Sequence, residues 1–280
     1  MSQLHASPRV LFQLCAILAA LGVLVSREYQ RQPDGQLHVH FLDVQQGDAV
    51  LLITPSGKQI LIDGGPNMET LEYLGRFLPF FDRQIELLVL THPHEDHFTA
   101  LPEVLRRYQI SQVLLSGSDA PSGRYAAMLH ELSARKIPVI LADPQKSIAM
   151  GDGVTLDCIW PQAEELHHLD PNNASVVVRV LFGKTAILLP GDIEQEAERA
   201  ILLSGKNVRA TVLKVPHHGS SSSSSTGFLL AVRPELGIVS AGPGNRFSFP
   251  HSAIVERYEK MGIPLRTTAK EGTISLTFAR

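Results

Sequence analysis

The sequence predicts an α+β fold of layered sheets and helices, and three observations carry that prediction. Two separate series of closely spaced apolar strands are punctuated by turn residues, helical stretches lie between strands, and several strands end in loops rich in histidine, aspartate and glycine. The 280 residues, 44% hydrophobic and 19% charged, exclude a disordered chain and suffice for a substantial core. The formal net charge of −3 supplies no general basic field. An anionic substrate must therefore be held by local positive charge, including any bound metal.

Residues 1–9 are polar and carry Arg9, whereas residues 10–25 form an apolar run of 16 interrupted only by Gln13. This reads as a membrane-targeting segment, because an all-round apolar helix followed by polar residues does not suit the edge of a globular core. Its length falls between a signal-peptide core and the roughly 20 residues that span a bilayer, so cleaved signal and uncleaved anchor are both open. Residues 1–26 are thus read as signal or anchor, 27–36 as a linker and 37–280 as the folded domain, acting outside the cytoplasm, membrane-anchored or released. Beyond the apolar run only Cys158 remains, so no internal disulfide is expected.

The domain opens with a β-meander over residues 37–43, 49–54 and 59–63, separated by the turn signals Gln46-Gly47-Asp48 and Pro55-Ser56-Gly57. Asp63-Gly64-Gly65 ends the third strand, where paired glycines permit close backbone approach beneath the loop they support. Asp63 reads either as a carboxylate backing that loop or as a turn cap. A helix over 69–80, a strand over 85–90, an amphipathic segment over 99–108, a strand over 112–115, a helix over 124–135 and a strand over 139–141 follow. A second series comprises strands at 154–160, 175–181, 184–189, 211–215, 236–240 and 274–278, with helices at 194–203 and 252–261. The serine run 220–225 is low in complexity and is expected to be flexible.

The chemistry concentrates where strands end. The strand at 85–90 delivers Thr91-His92-Pro93-His94-Glu95-Asp96-His97, three histidines and an aspartate within six residues. His92 and His94 can share one side of an extended turn and bind one cation, while Asp96 and His97 turn toward a second; imidazole and carboxylate suit zinc, manganese or iron. The alternative is a solvated, His-rich turn. Two later strands end similarly, in Pro190-Gly191-Asp192 and in Pro216-His217-His218-Gly219-Ser220.

With IDGG before it and PGD and HHGS after it, THPHEDH resembles the metallo-β-lactamase superfamily. FLDVQQGDA (41–49), ILIDGG (60–65), NNASVVVRV (172–180), LLPGDIE (188–194), LKVPHHGS (213–220) and NRFSFPH (245–251) are similar to the lactamase-like domain of the ComEC competence proteins. The resemblance spans residues 37–280, but the multi-helix membrane channel of ComEC has no counterpart here, so its transport role does not carry over.

The resemblance implies a four-layer αββα sandwich with two divalent ions, zinc or manganese, at one edge. On it His92 and His94 hold the first metal, Asp96, His97 and His218 the second, and Asp192 bridges them; a helix N-cap is the alternative for Asp192. The third histidine usual at the first metal is replaced by Asn172-Asn173-Ala174-Ser175, and His167 and His168 upstream lie in a loop that reads as solvated. Asn173, like Asp63, is expected to support the ligands from behind.

Bound metal lowers the pKa of water and neutralises charge growing on a phosphoryl or acyl oxygen, so hydrolysis is the expected reaction. Asp96, His217 and Lys214 are the candidates for catalytic roles, and Lys214, His217, Ser220 and His251 for substrate contacts. For Lys214 a solvent-facing strand end is the alternative, and for His251 a helix-start position after Pro250. DNA or another phosphodiester is the expected substrate. Another ester or amide, such as a phosphocholine ester or a β-lactam, and a non-catalytic DNA-uptake role are the alternatives.

Overall fold

The computed structural model describes residues 8–118 and 122–280. In chain order the first half contains α1 (Pro8–Gln30), β1 (Leu37–Phe41), β2 (Val50–Ile53), β3 (Gln59–Ile62), α2 (Glu69–Phe77), β4 (Gln84–Ile85), β5 (Leu87–Leu90), α3 (Glu95–Phe98), α4 (Leu101–Arg107), β6 (Gln109–Ile110), β7 (Val113–Leu115), α5 (Gly123–Ala134) and β8 (Val139–Leu141). The second half contains β9 (Ser147–Ala149), β10 (Val154–Trp160), β11 (Val177–Phe182), β12 (Thr185–Leu189), α6 (Gln195–Leu203), β13 (Val212–Lys214), a 3₁₀ turn (Pro216–Gly219), α7 (Thr226–Val232), β14 (Leu236–Val239), α8 (Ser252–Lys260), β15 (Leu265–Thr267), α9 (Thr268–Glu271) and β16 (Ile274–Phe278).

These strands make two seven-stranded sheets, ordered β16-β1-β2-β3-β5-β7-β8 and β15-β14-β13-β12-β11-β10-β9; β4 and β6 pair separately. The period-two alternation of each strand decides what lies on either side. Val39, Phe41, Val50, Leu52, Ile60, Ile62, Leu87 and Val89 from the first sheet meet Val178, Val180, Ile187, Leu189 and Ile238 from the second in one buried core. The intervening residues Leu51, Leu61, Leu88 and Leu90 face outward and are covered by Leu74, Leu101, Val104 and Met128 of α2, α4 and α5. Leu188, Leu213 and Val239 are covered likewise by Ala197, Phe228 and Ile254 of α6, α7 and α8. The result is the four-layer αββα sandwich. Each buried Leu, Ile or Val contributes roughly 1.5–3 kcal/mol, and because both sheet faces are covered, a one-residue slip moves every side chain into the wrong layer.

Short or masked signals account for the elements that sequence reading did not find. The edge strands β9 and β15 carry no fully buried residue and so no apolar run. Helix α1 runs through Gln30, into the stretch read as linker.

The serine run is a correction: residues 220–225 are built into the structure. Ser223 and Ser224 are fully buried. Glu198, on α6, accepts hydrogen bonds from Ser224 N at 2.5 Å and Ser225 N at 2.8 Å. Arg257, on α8, donates to the carbonyls of Ser223 and Ser224, and Ser225 Oγ caps α7 by accepting from Phe228 N. Serine here supplies small size and hydroxyls to a tight turn between packed helices.

Candidate metal centre

β3 and β5 are parallel neighbours, so their C-terminal ends open on the same edge. Asp63, which follows β3, accepts hydrogen bonds from Thr91 N at 2.8 Å and from Thr91 Oγ1 at 2.7 Å, and its Oδ2 lies 2.8 Å from His97 Nδ1. The carboxylate thereby fixes the imidazole, leaving a buried Nε2 that has no hydrogen-bond partner and lies 3.3 Å from Asp192. Gly64 donates its N–H to the carbonyl of His97, and a side chain there would stand 2.6 Å from Leu101 Cδ2, so only glycine lets the two loops touch.

The second sheet brings its own loops to this edge. At Gly191, with φ +58°, a Cβ would come within 2.9 Å of Ser175 and 3.0 Å of Thr91. Asp192 N donates to Ser175 Oγ at 3.2 Å, and the carboxylate is buried. Asp192 does not cap the following helix. Asn173 does that from another loop, its Oδ1 accepting from Glu194 N at 2.9 Å and Ala197 N at 3.3 Å. His217 and His218 both adopt left-handed backbone, φ +49° and +54°, a conformation that costs a non-glycine residue about 1–3 kcal/mol and gathers at functional sites. The turn sends His218 inward, where Nδ1 donates to Ser240 O at 2.8 Å and Nε2 lies 3.2 Å from Asp192. His217 lines the cleft, with Nδ1 3.0 Å from Glu194 Oε1.

Asp48, His97, Asp192 and His218 form a buried cluster in which one donor atom from each lies within 4.8 Å of the others. His92 adjoins it, its ring 4.1 Å from that of His97 and 4.6 Å from that of the exposed His94. The Nε2 atoms of His92, His97 and His218 and Oδ1 of Asp48 are all buried without a hydrogen-bond partner. Each orphaned group costs about 1–3 kcal/mol. The cluster of Asp48, His97, Asp192 and His218, with His92 beside it, is a donor set suited to a divalent cation.

The carboxylates favour positive charge at this point, which protons take up in the absence of a cation. Burial opposes charge on His97 and His218, yet neighbouring carboxylates prevail: Asp192, Asp63 and Asp96 hold His97 well above the usual imidazole range, and Asp192 and Asp48 push His218 up to about 9. Burial and the charge of His97 hold His92 well below it, as a neutral donor. Burial resists ionisation of Asp192, but His218, His97 and Lys214 hold its carboxyl well below the usual range. His97 and His218 hold Asp96 low against its own burial, and it lies 3.7 Å from His218 Nε2 and 4.0 Å from His97 Nε2.

A cavity of about 930 Å³ opens over the cluster, walled by His94, Asp96, His217, Arg124, Arg246 and Phe247. Three expected substrate contacts are not in that wall. Lys214 is buried, bonded to Gly191 O at 3.2 Å and paired with Asp48 and Asp192, so it neutralises the carboxylates from beneath. Ser220 Oγ is engaged by Ser222, and both ring nitrogens of His251 are engaged by Ser221 N and Phe247 O. His167 and His168 are exposed outside the cavity wall.

Asp48 was missed because Gln46-Gly47-Asp48 reads as a turn; the available signal was its place in the stretch FLDVQQGDA. Gln46 and Asn172 were missed as wall residues: both amide heteroatoms of Gln46 and Oδ1 of Asn172 are buried at the cavity without a partner.

Comparison with known proteins agrees with this geometry. The chain is 27% identical to ComE operon protein 3 of Bacillus subtilis over 86% of its own length and 33% of that protein, and 28% identical to competence protein ComA of Neisseria gonorrhoeae over 95% of its length and 36% of that protein. It thus spans about a third of the length of these curated relatives. Igni18, a metallo hydrolase from the archaeon Ignicoccus hospitalis, shares the fold with a TM-score of 0.56 at 18% identity, over 86% of this chain and 99% of that one. Residues 42–242 match the metallo-beta-lactamase superfamily. By that match, the αββα sandwich and the Asp/His cluster at its edge, the chain belongs to the metallo-beta-lactamase superfamily.

Proposed function

We propose that this protein is a metal-dependent phosphodiesterase that acts on DNA outside the cytoplasm. The observation that carries the reading is the cavity itself. Its floor is the Asp/His cluster, and its wall holds two arginines and Phe247, which is stacked on Phe249 at 5.3 Å between centroids. Asp48, His97, Asp192 and His218 hold one divalent cation, zinc or manganese; His92 and His94, with Asp96 and Asp192 between, offer donors for a second. Such ions supply Lewis acidity and a lowered pKa for water.

The chain's own residues do the rest. Arg124, which pairs with Glu95 at 3.4 Å, and Arg246 line the cavity and can supply charge to non-bridging phosphate oxygens, and Phe247, 43% exposed with the Arg246 guanidinium 4.6 Å from its ring, can contact a nucleobase. His217, its pKa lowered by burial, is neutral in the cleft wall and placed to hold a proton near a leaving oxygen. Kinship with a competence protein supports DNA as the substrate, and the apolar α1 supports action at or beyond the membrane. The test is zinc- or manganese-loaded protein assayed side by side on single-stranded DNA, duplex DNA and a β-lactam. Cleavage of DNA supports the reading; β-lactam turnover without phosphodiester cleavage under either metal rejects it.

A further inference from the structure

Two exposed phenylalanines sit at the opposite end of the first sheet from the metal centre. Phe80 and Phe81, between α2 and β4, are 60% and 90% exposed, an unusual pair to leave in water. They lie beside the end of α1. Phe80 N donates to Glu28 Oε2 at 2.8 Å, and Glu28 also holds Arg31 at 2.6 Å. Tyr29, on the same helical turn, is 80% exposed. Arginines accompany the rings: Arg83 lies 5.9 Å from the Phe80 centroid, and Arg27, Arg31 and Arg76 border a neighbouring cavity of about 670 Å³. Glu28 pairs with Arg31 and Asp34 with His38, and Asp82 accepts from Gln59 Nε2 and Gln84 N, whereas Arg27, Arg76 and Arg83 form no ion pair among the described residues.

Apolar rings that enter the headgroup boundary beside arginines that attract anionic lipid are a combination found where protein meets a membrane surface. Residues Arg9–Gln30 of α1 are long and apolar enough to cross a membrane and are not buried against the domain. At 1.5 Å per residue such a helix measures about 33 Å, against a hydrocarbon layer of about 30 Å. Its C-terminal end therefore emerges at headgroup level, where Phe80 is tied to it.

Sheet topology then orients the domain. β1 and β3 are both antiparallel to β2, and β3 is parallel to β5, so β1, β3 and β5 run in one direction. Helix α1 leads into the start of β1 and Phe80–Phe81 into the start of β5, whereas Asp63 and the histidine loop leave the far ends of β3 and β5.

We propose that Phe80, Phe81 and Tyr29, with Arg27, Arg76 and Arg83, form a second membrane contact that seats the domain on an anionic lipid surface with the metal cleft facing away from the bilayer. The proposal rests on α1 remaining in the membrane and is independent of the substrate.

The test uses the full chain in phosphatidylglycerol-containing vesicles whose lipids carry bromine near the headgroup. The protein's single tryptophan, Trp160, is 1% exposed in the domain interior and gives a fixed background. The Phe81→Trp protein is expected to float with the vesicles and to lose most of its added emission to the bromine label. Flotation with quenching no greater than that of the unsubstituted protein overturns the second contact and leaves the anchor standing. Failure of both proteins to float overturns the anchor and this proposal together.

Discussion

Lys214 Nζ lies 3.3 Å from Asp192 Oδ1 and also contacts Asp48, and all three side chains are buried. Burial disfavours the ammonium, but the two carboxylates raise its pKa, so it stays charged. Removing one member of a buried ion cluster strands the others, at about 3–5 kcal/mol. Lys214→Met is therefore expected to lower the unfolding free energy of metal-depleted protein by that amount, read as a lower midpoint in urea. An unchanged midpoint with lost DNA cleavage would return Lys214 to a substrate role.

Asp192 lies within 3.3 Å of His97, His218 and Lys214. Asp192→Ala is expected to empty the metal centre and to reduce hydrolysis by about a thousandfold, since several kcal/mol of charge stabilisation is lost at 1.4 kcal/mol per factor of ten. Elemental analysis with parallel turnover assays checks this. Full metal content with normal turnover would remove Asp192 from the centre.

The contrast between His97 and Lys214 explains what sequence reading can reach. Strand periodicity placed Lys214 at a strand end and His97 in the loop that leaves one, and the chain folds so that the two share an edge. Which way a side chain turns from such an end depends on partners distant in sequence: Asp63 for His97, Asp48 for Lys214. Neither pairing leaves a local pattern. Asp48 was hidden for the same reason, because an aspartate after glycine reads as a turn until the residues opposite it are known. The serine run failed differently. Low complexity was taken for freedom, whereas Glu198 and Arg257 from two helices satisfy the backbone of that run.

That bonding makes Glu198 a test of order in the loop. The carboxylate is fully buried, its pKa raised by burial despite its bonds to Ser224 and Ser225. Glu198→Ala leaves the buried N–H of Ser224 and the half-buried N–H of Ser225 unpaired, the first at about 1–3 kcal/mol. Expected are a lower unfolding midpoint and faster amide exchange across residues 220–225. Exchange as slow as in the unsubstituted protein would show that other contacts hold the loop.

His40 supplies a pH dependence far from the metal ligands. On β1 it is 7% exposed, stacks on Phe77 at 4.0 Å between centroids, and has Nδ1 2.7 Å from Ser275 Oγ. Burial, helped by the neighbouring His38, pushes its pKa down to about 4 from 6.5. Between those values the unfolded chain binds a proton that the folded chain does not. Stability from this residue is therefore fully present above pH 6.5 and is lost as pH falls toward 4. At 1.36 kcal/mol per pH unit the loss is about 3 kcal/mol at most. His40→Phe, which keeps a ring on Phe77, is expected to retain more of its stability between pH 7 and pH 4.5 than the unsubstituted protein. Urea unfolding of both proteins at the two pH values measures the difference, to which carboxylates elsewhere contribute equally. Equal losses in the two proteins would mean that His40 protonates as easily in the folded state as in the unfolded one.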